Sequence, residues 1–118
     1  DAEVLKRGLF VGIEGHRVTG SVALVRSDGA LYLQFRDYRQ TQGPDVFIYV
    51  TPADTPETSA DVGNGTKVRI DGGADNGEST LEGTFVQRLP DDVTAAEVEG
   101  VSAWCERFSV PFGYANLE

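Results

Sequence analysis

Val18-Thr19-Gly20-Ser21-Val22-Ala23-Leu24-Val25-Arg26-Ser27-Asp28-Gly29-Ala30-Leu31-Tyr32-Leu33-Gln34-Phe35-Arg36-Asp37-Tyr38 decides the fold class. Asp28-Gly29 is a two-residue type I′ turn, the strongest short hairpin signal. On its far side Leu31, Leu33 and Phe35 alternate with Tyr32, Gln34 and Arg36, the period of a strand with one buried face. Val18 to Arg26 is the strand that pairs with it, antiparallel.

The same reading extends in both directions. Leu9 to Glu14 is an earlier β-prone run. Val46-Phe47-Ile48-Tyr49-Val50 is apolar on both faces, as in a central strand covered on two sides. Pro52 to Gly65 reads as a long polar loop. Val68 and Ile70 mark a short strand, Asp71 to Gly77 a wide turn and Ser79 to Leu89 another strand. Thr94-Ala95-Ala96-Glu97 matches a capping box, and Gly100 a stop, so one short helical turn is expected near 94–99. No long window carries a 3.6-residue apolar period. The fold class is therefore all-β: an antiparallel β-sandwich or partly open barrel of about eight short strands. The 118 residues are read as a single domain over 1–118.

Val101 to Tyr114 reads as the last strand. Taken with a period of two, Ser102, Trp104, Glu106, Phe108, Val110 and Phe112 share one side. The large apolar groups there assign that side to the main core. Glu106 interrupts it and needs a partner or an edge. Val101, Ala103, Cys105 and Arg107 share the other side, so Cys105 is expected beside small residues, lining a shallow pocket or a second packing layer. Arg107 follows Cys105 on that side, roughly 7 Å along the strand. A cation there favours thiolate, and the nearby acidity opposes it. A buried, inert Cys acting as a small hydrophobe is the competing reading. A bulge near Pro111 would flip the register.

Composition removes several classes of function. Nineteen acidic residues face ten basic ones, giving a net charge of -9. Nucleic acid and anionic membrane surfaces are poor partners for such a chain, because both need a basic face. Only Lys6 and Lys67 are lysines, and acidic, lysine-poor chains resemble the proteins of salt-loving organisms. No apolar run approaches the roughly 20 residues of a membrane span. Residue 1 is Asp and the sequence contains no Met, which leads to an expected natural start upstream, with room for a removed leader or anchor.

One Cys and one His, Cys105 and His16, exclude an internal disulfide and a closed four-ligand zinc site of Cys and His. His16 sits in the turn Gly15-His16-Arg17 and reads as a solvated turn residue or as a second ligand beside Cys105. Asp71, Asp75 and Glu78 supply the hard oxygens that suit calcium. Their spacing departs from the twelve-residue calcium loop, and an acidic Gly-rich turn needs the same residues. Asp45 is read as a turn cap ahead of the apolar strand. Asn64-Gly65-Thr66 fits a glycosylation sequon. No carboxylate pair or nucleophile motif marks an enzyme.

Cys105-Glu106-Arg107-Phe108-Ser109-Val110-Pro111-Phe112-Gly113-Tyr114-Ala115 resembles the C-x-x-F-x-V-x-F-G-x-A signature of the DM-thirteen domain family. Trp104, Phe10-Val11-Gly12, His16, Gly20, Gly43-Pro44-Asp45 with Tyr49, and Leu89-Pro90-Asp91-Asp92 extend the resemblance over Leu9 to Leu117. It implies an extracellular or cell-surface all-β module, associated with electron transfer to or from a protein or redox partner at the cell surface. Cys105 would be the redox thiol or the ligand of a bound group such as haem. The alternative is a non-catalytic binding or adhesion module in which Cys105 only packs.

Overall fold

The computed structural model describes residues 2–43, 45–73 and 81–118. Among them are eight strands: β1 (Ala2–Gly12), β2 (Val18–Ser27), β3 (Ala30–Gln40), β4 (Val46–Thr51), β5 (Thr66–Val68), β6 (Gly83–Arg88), β7 (Gly100–Cys105) and β8 (Val110–Asn116). A short helix, α1 (Ser59–Gly63), and a 3-10 turn over Ala95–Glu97 complete the described elements. All eight strands join one antiparallel sheet in the order β5-β4-β7-β8-β1-β2-β3-β6. The sheet curls into a partly open barrel, the second of the two expected forms. No helix among the described residues is long and apolar enough to cross a membrane.

The hairpin that opened the reading forms as expected. Asp28 (φ 51°) and Gly29 (φ 81°) both take the left-handed conformation that a type I′ turn requires. Ser27 then pairs with Ala30, and the register runs back to Ser21 opposite Arg36. β1 begins seven residues earlier than the apolar run at Leu9 suggested. Its period is broken by a register shift between Val4 and Lys6, which hides the strand from an alternation test.

β1 is also what curls the sheet. Its first part pairs with β2, and Phe10 to Gly12 pair with β8. The two halves thereby face each other over one core. Phe35 and Leu33 from β3, Ile48 from β4 and Val101 from β7 are fully buried in that core, with Phe10 from β1 6% exposed. Phe35 stacks on Phe85 with ring centroids 4.6 Å apart and meets Tyr38 edge-on at 5.3 Å. Burial pushes the Tyr38 phenol well above its ordinary value, so it stays protonated and donates to Gln40 Oε1.

The barrel is drawn together where the sheet ends. The Asp71 N–H donates to Gln87 Oε1 at 2.6 Å, tying the chain after β5 to β6. The segment 52–65 is more than a polar loop. It contains α1, buries Val62, and is fixed by the Tyr114 hydroxyl donating to Glu57 Oε2 at 3.0 Å. The 3-10 turn sits where the capping box placed it, with Glu97 accepting from the Thr94 N–H and hydroxyl, both at 2.9 Å. Those bonds hold the Glu97 carboxyl below its ordinary value.

Candidate functional site

The run Val101 to Tyr114 is two strands and not one. β7 ends at Cys105, and Glu106 to Ser109 form a turn before β8 begins at Val110. Ser109 takes φ 53°, a left-handed conformation uncommon for a residue with a side chain. Cys105 pairs with Val110 across this hairpin and with Val46 on its other side. A register shift at Ala103/Trp104 leaves Phe112 as the extra residue of a bulge, close to the Pro111 position where one was anticipated.

The turn and the bulge overturn the expected sidedness. Val101, Ala103 and Cys105 join the main core, and so does Phe112. Trp104 lies outside that cluster, and Phe108, expected inside, stands 65% exposed at the turn. A period of two predicts one face only within one strand, and here the chain reverses after Cys105. Cys105 is therefore not at a shallow pocket: it is 0% exposed. Five surface cavities of about 220–450 Å³ among the described residues are lined by other side chains.

A polar cluster closes the end of the hairpin beside it. The Glu106 N–H donates to Asp45 O at 2.8 Å, and Arg107 Nε donates to Asp45 Oδ2 at 3.1 Å. Arg107 thus serves the turn and Asp45. Asp45 holds the turn ahead of β4, as its position suggested, in a left-handed conformation (φ 57°). Glu106 has the partners it needed: Lys67 Nζ at 2.7 Å and the Tyr49 hydroxyl. Burial alone would raise the Glu106 carboxyl, and the hydrogen bonds from Lys67 and Tyr49 together outweigh it and hold it low. The Tyr49 phenol is pushed up, first by burial and then by the Glu106 carboxylate. Lys67 also lies 4.0 Å over the centre of the Phe47 ring. Sequence reading did not join Tyr49 and Lys67 to this site, because contacts so far apart along the chain leave no local spacing to detect.

The remaining candidates are placed as follows. His16 is half-buried, stacked on Phe112 at 3.8 Å between ring centres, with Nδ1 3.2 Å from Ile13 O. It is packed to the fold more closely than a solvated turn residue. Asp71 bonds Gln87, whereas Asp75 and Glu78 lie outside the described residues. Among the described residues no cluster of three or more His, Cys, Asp or Glu could hold a metal.

Haem ligation by Cys105 can be tested on this geometry. A porphyrin needs an open face beside the sulfur, and Cys105 is enclosed by core residues. The residues present do not fit a haem at this sulfur, and no step is routed through one.

The chain belongs to the Electron transfer DM13 family, whose model matches residues 10–117, nearly the whole chain. No curated protein and no solved structure matches it.

Proposed function

We propose that this chain is a secreted or cell-surface electron-transfer module whose redox group is the Cys105 thiol. Membership of an electron-transfer family carries the reading. The position of Cys105 supports it. The residue is buried, yet it is the last of β7 and adjoins a turn held largely by polar contacts. Opening that turn, without unfolding the core, would present the sulfur to a partner. An oxidant of the peroxide class converts the thiol to sulfenic acid, with water as the other product. The sulfenic acid then condenses with a partner's thiol to a disulfide, releasing a second water. Two further electrons and two protons from a dithiol restore Cys105.

The test is trapping of sulfenic acid with dimedone after peroxide treatment of the native chain. Labelling of Cys105 is expected in native buffer. Labelling only after unfolding refutes the reading. The full burial of Cys105 favours a second reading, a surface binding or adhesion module in which the sulfur only packs. An unreactive native thiol decides for it.

A further inference from the structure

We infer that the outer face of strands β1, β2 and β3 carries a binding site for a small organic anion, a carboxylate on a short apolar body. The site goes beyond the electron-transfer reading and does not rest on it. Its shape follows from the register. Arg7 in β1 lies opposite Ala23 in β2, and Leu9 lies opposite Ser21, which in turn lies opposite Arg36 in β3. Side chains that share a face and a row stand within reach of one another. The middle strand thus offers only a methyl and a hydroxymethyl group, between long side chains on both neighbours. Gly8 contributes backbone only, because its Cα hydrogens face Asn116 and not the trough. The result is a trough of about 300 Å³ with Gly8, Ser21 and Ala23 at its floor and Arg7, Leu9 and Arg36 among its walls. That is the lower end of the size range of small-molecule sites.

Two bulges shape the trough. β2 shifts register between Thr19 and Ser21, and β3 shifts between Phe35 and Tyr38, on either side of Arg36. Bulges bend a strand and re-aim its side chains. A second cavity continues the trough past Leu9, Ser21 and Arg36 and ends at Asp37.

The charge identifies the ligand. The chain carries -9 overall, yet this cavity is lined by two guanidinium groups and no carboxylate, whereas the cavities that hold Arg26 with Arg88, and Lys67 with Arg69 and Arg88, also hold Asp91 and Asp71 respectively. Neither takes part in an ion pair among the described residues, a state they share with Arg17, Arg26, Arg39 and Arg69, so both guanidiniums keep their donors for a ligand. A guanidinium offers a planar fork of donors that matches a carboxylate in bidentate fashion. Leu9, 74% exposed, supplies an aliphatic wall beside the two cations. Inorganic anions gain nothing from that wall, and neutral apolar molecules gain nothing from the arginines. A ligand with both features uses the whole site.

The experiment is a titration of the full ¹⁵N-labelled chain, followed by amide shifts, with hexanoate, hexanamide and inorganic phosphate as probes. Hexanoate is expected to give saturable shifts centred on Gly8, Ser21 and Ala23. Hexanamide and phosphate are expected to bind at least about tenfold more weakly. Arg7→Gln and Arg36→Gln each weaken hexanoate by about tenfold. Both side chains are exposed, so both variants keep the wild-type melting temperature. Ala23→Leu, which fills the floor, removes binding while leaving both arginines in place. Three results overturn the assignment: no saturable shift up to the solubility of hexanoate, equal binding of hexanamide or phosphate, or hexanoate binding that survives the double arginine variant.

Discussion

Urea dependence of thiol alkylation separates a gated sulfur from a sealed one. Cys105 is fully buried, so iodoacetamide reaches it only in an opened state. Peeling back the tip between Cys105 and Val110 breaks the Glu106 N–H bond to Asp45 at 2.8 Å and the longer Ser109 N–H bond to Glu106 at 3.4 Å. It also breaks the exposed Arg107–Asp45 pair and the bonds of Lys67 and Tyr49 to Glu106. Backbone bonds contribute about 1 kcal/mol each and exposed pairs about 0.5 kcal/mol. The half-exposed Glu106 cluster contributes about 1 kcal/mol. The opening then costs about 3–4 kcal/mol, equivalent to a few-hundredfold slowing relative to an unfolded peptide. Global unfolding of a domain costs about 5–15 kcal/mol and slows alkylation about ten-thousandfold or more.

The two routes respond differently to denaturant. Local opening exposes little surface, so the rate stays nearly flat in dilute urea. Global unfolding, with a slope of about 2 kcal/mol per molar urea, raises the rate about thirtyfold for each molar step. The gated thiol predicts the flat profile and the few-hundredfold protection. A rate that climbs with urea from the first addition, at ten-thousandfold protection, refutes the gate and removes Cys105 from redox exchange.

Four other outcomes are expected. Glu106 has a carboxyl held below its ordinary value of 4.5, so its ion stabilises the fold above that pH, and the stabilisation is lost as pH falls through the lower folded value. Glu106→Gln should therefore lower the melting temperature most at neutral pH, with the gap to wild type closing in acid. Phe35→Ala removes a fully buried ring from the Phe10–Tyr38–Phe85 cluster and should cost about 3–5 kcal/mol in urea unfolding. Phe108→Ala, at a 65% exposed turn position, should change stability by no more than about 0.5 kcal/mol. A chain of net charge -9 adapted to salt should melt higher in molar than in low salt, and a flat or falling melting temperature counts against that adaptation.

What the sequence disclosed was what short-range chemistry controls. The Asp28-Gly29 hairpin and the Thr94–Glu97 turn are each specified within four residues, and both form where expected. The end of β7 was hidden for the opposite reason. Glu106-Arg107-Phe108-Ser109 contains no Gly, Pro or Asn, and Ser109 takes its left-handed conformation with a side chain in place. Alternation therefore ran on through a reversal and put Phe108 in the core and Cys105 outside it. The polar cluster at the hairpin end was hidden as well, since Asp45, Tyr49, Lys67 and Glu106 meet only when β4, β5 and β7 lie side by side.

The family motif divides accordingly once it is laid on the hairpin. Cys105, Phe112 and Ala115 are core positions, and Gly113 is required by close approach, since a Cβ there would lie 2.5 Å from Val11 O. Packing alone accounts for those four residues, so the motif by itself does not distinguish a redox sulfur from a structural one. Val110 is half-buried opposite Cys105, and Phe108 is the exposed member. It belongs to the same signature, and it places an aromatic ring in water at the tip of the turn that covers the sulfur. Under the gated proposal, a partner that engaged Phe108 would hold the segment that must move to expose Cys105. Phe108→Ala would then leave stability and alkylation of the isolated chain unchanged while slowing exchange with the partner.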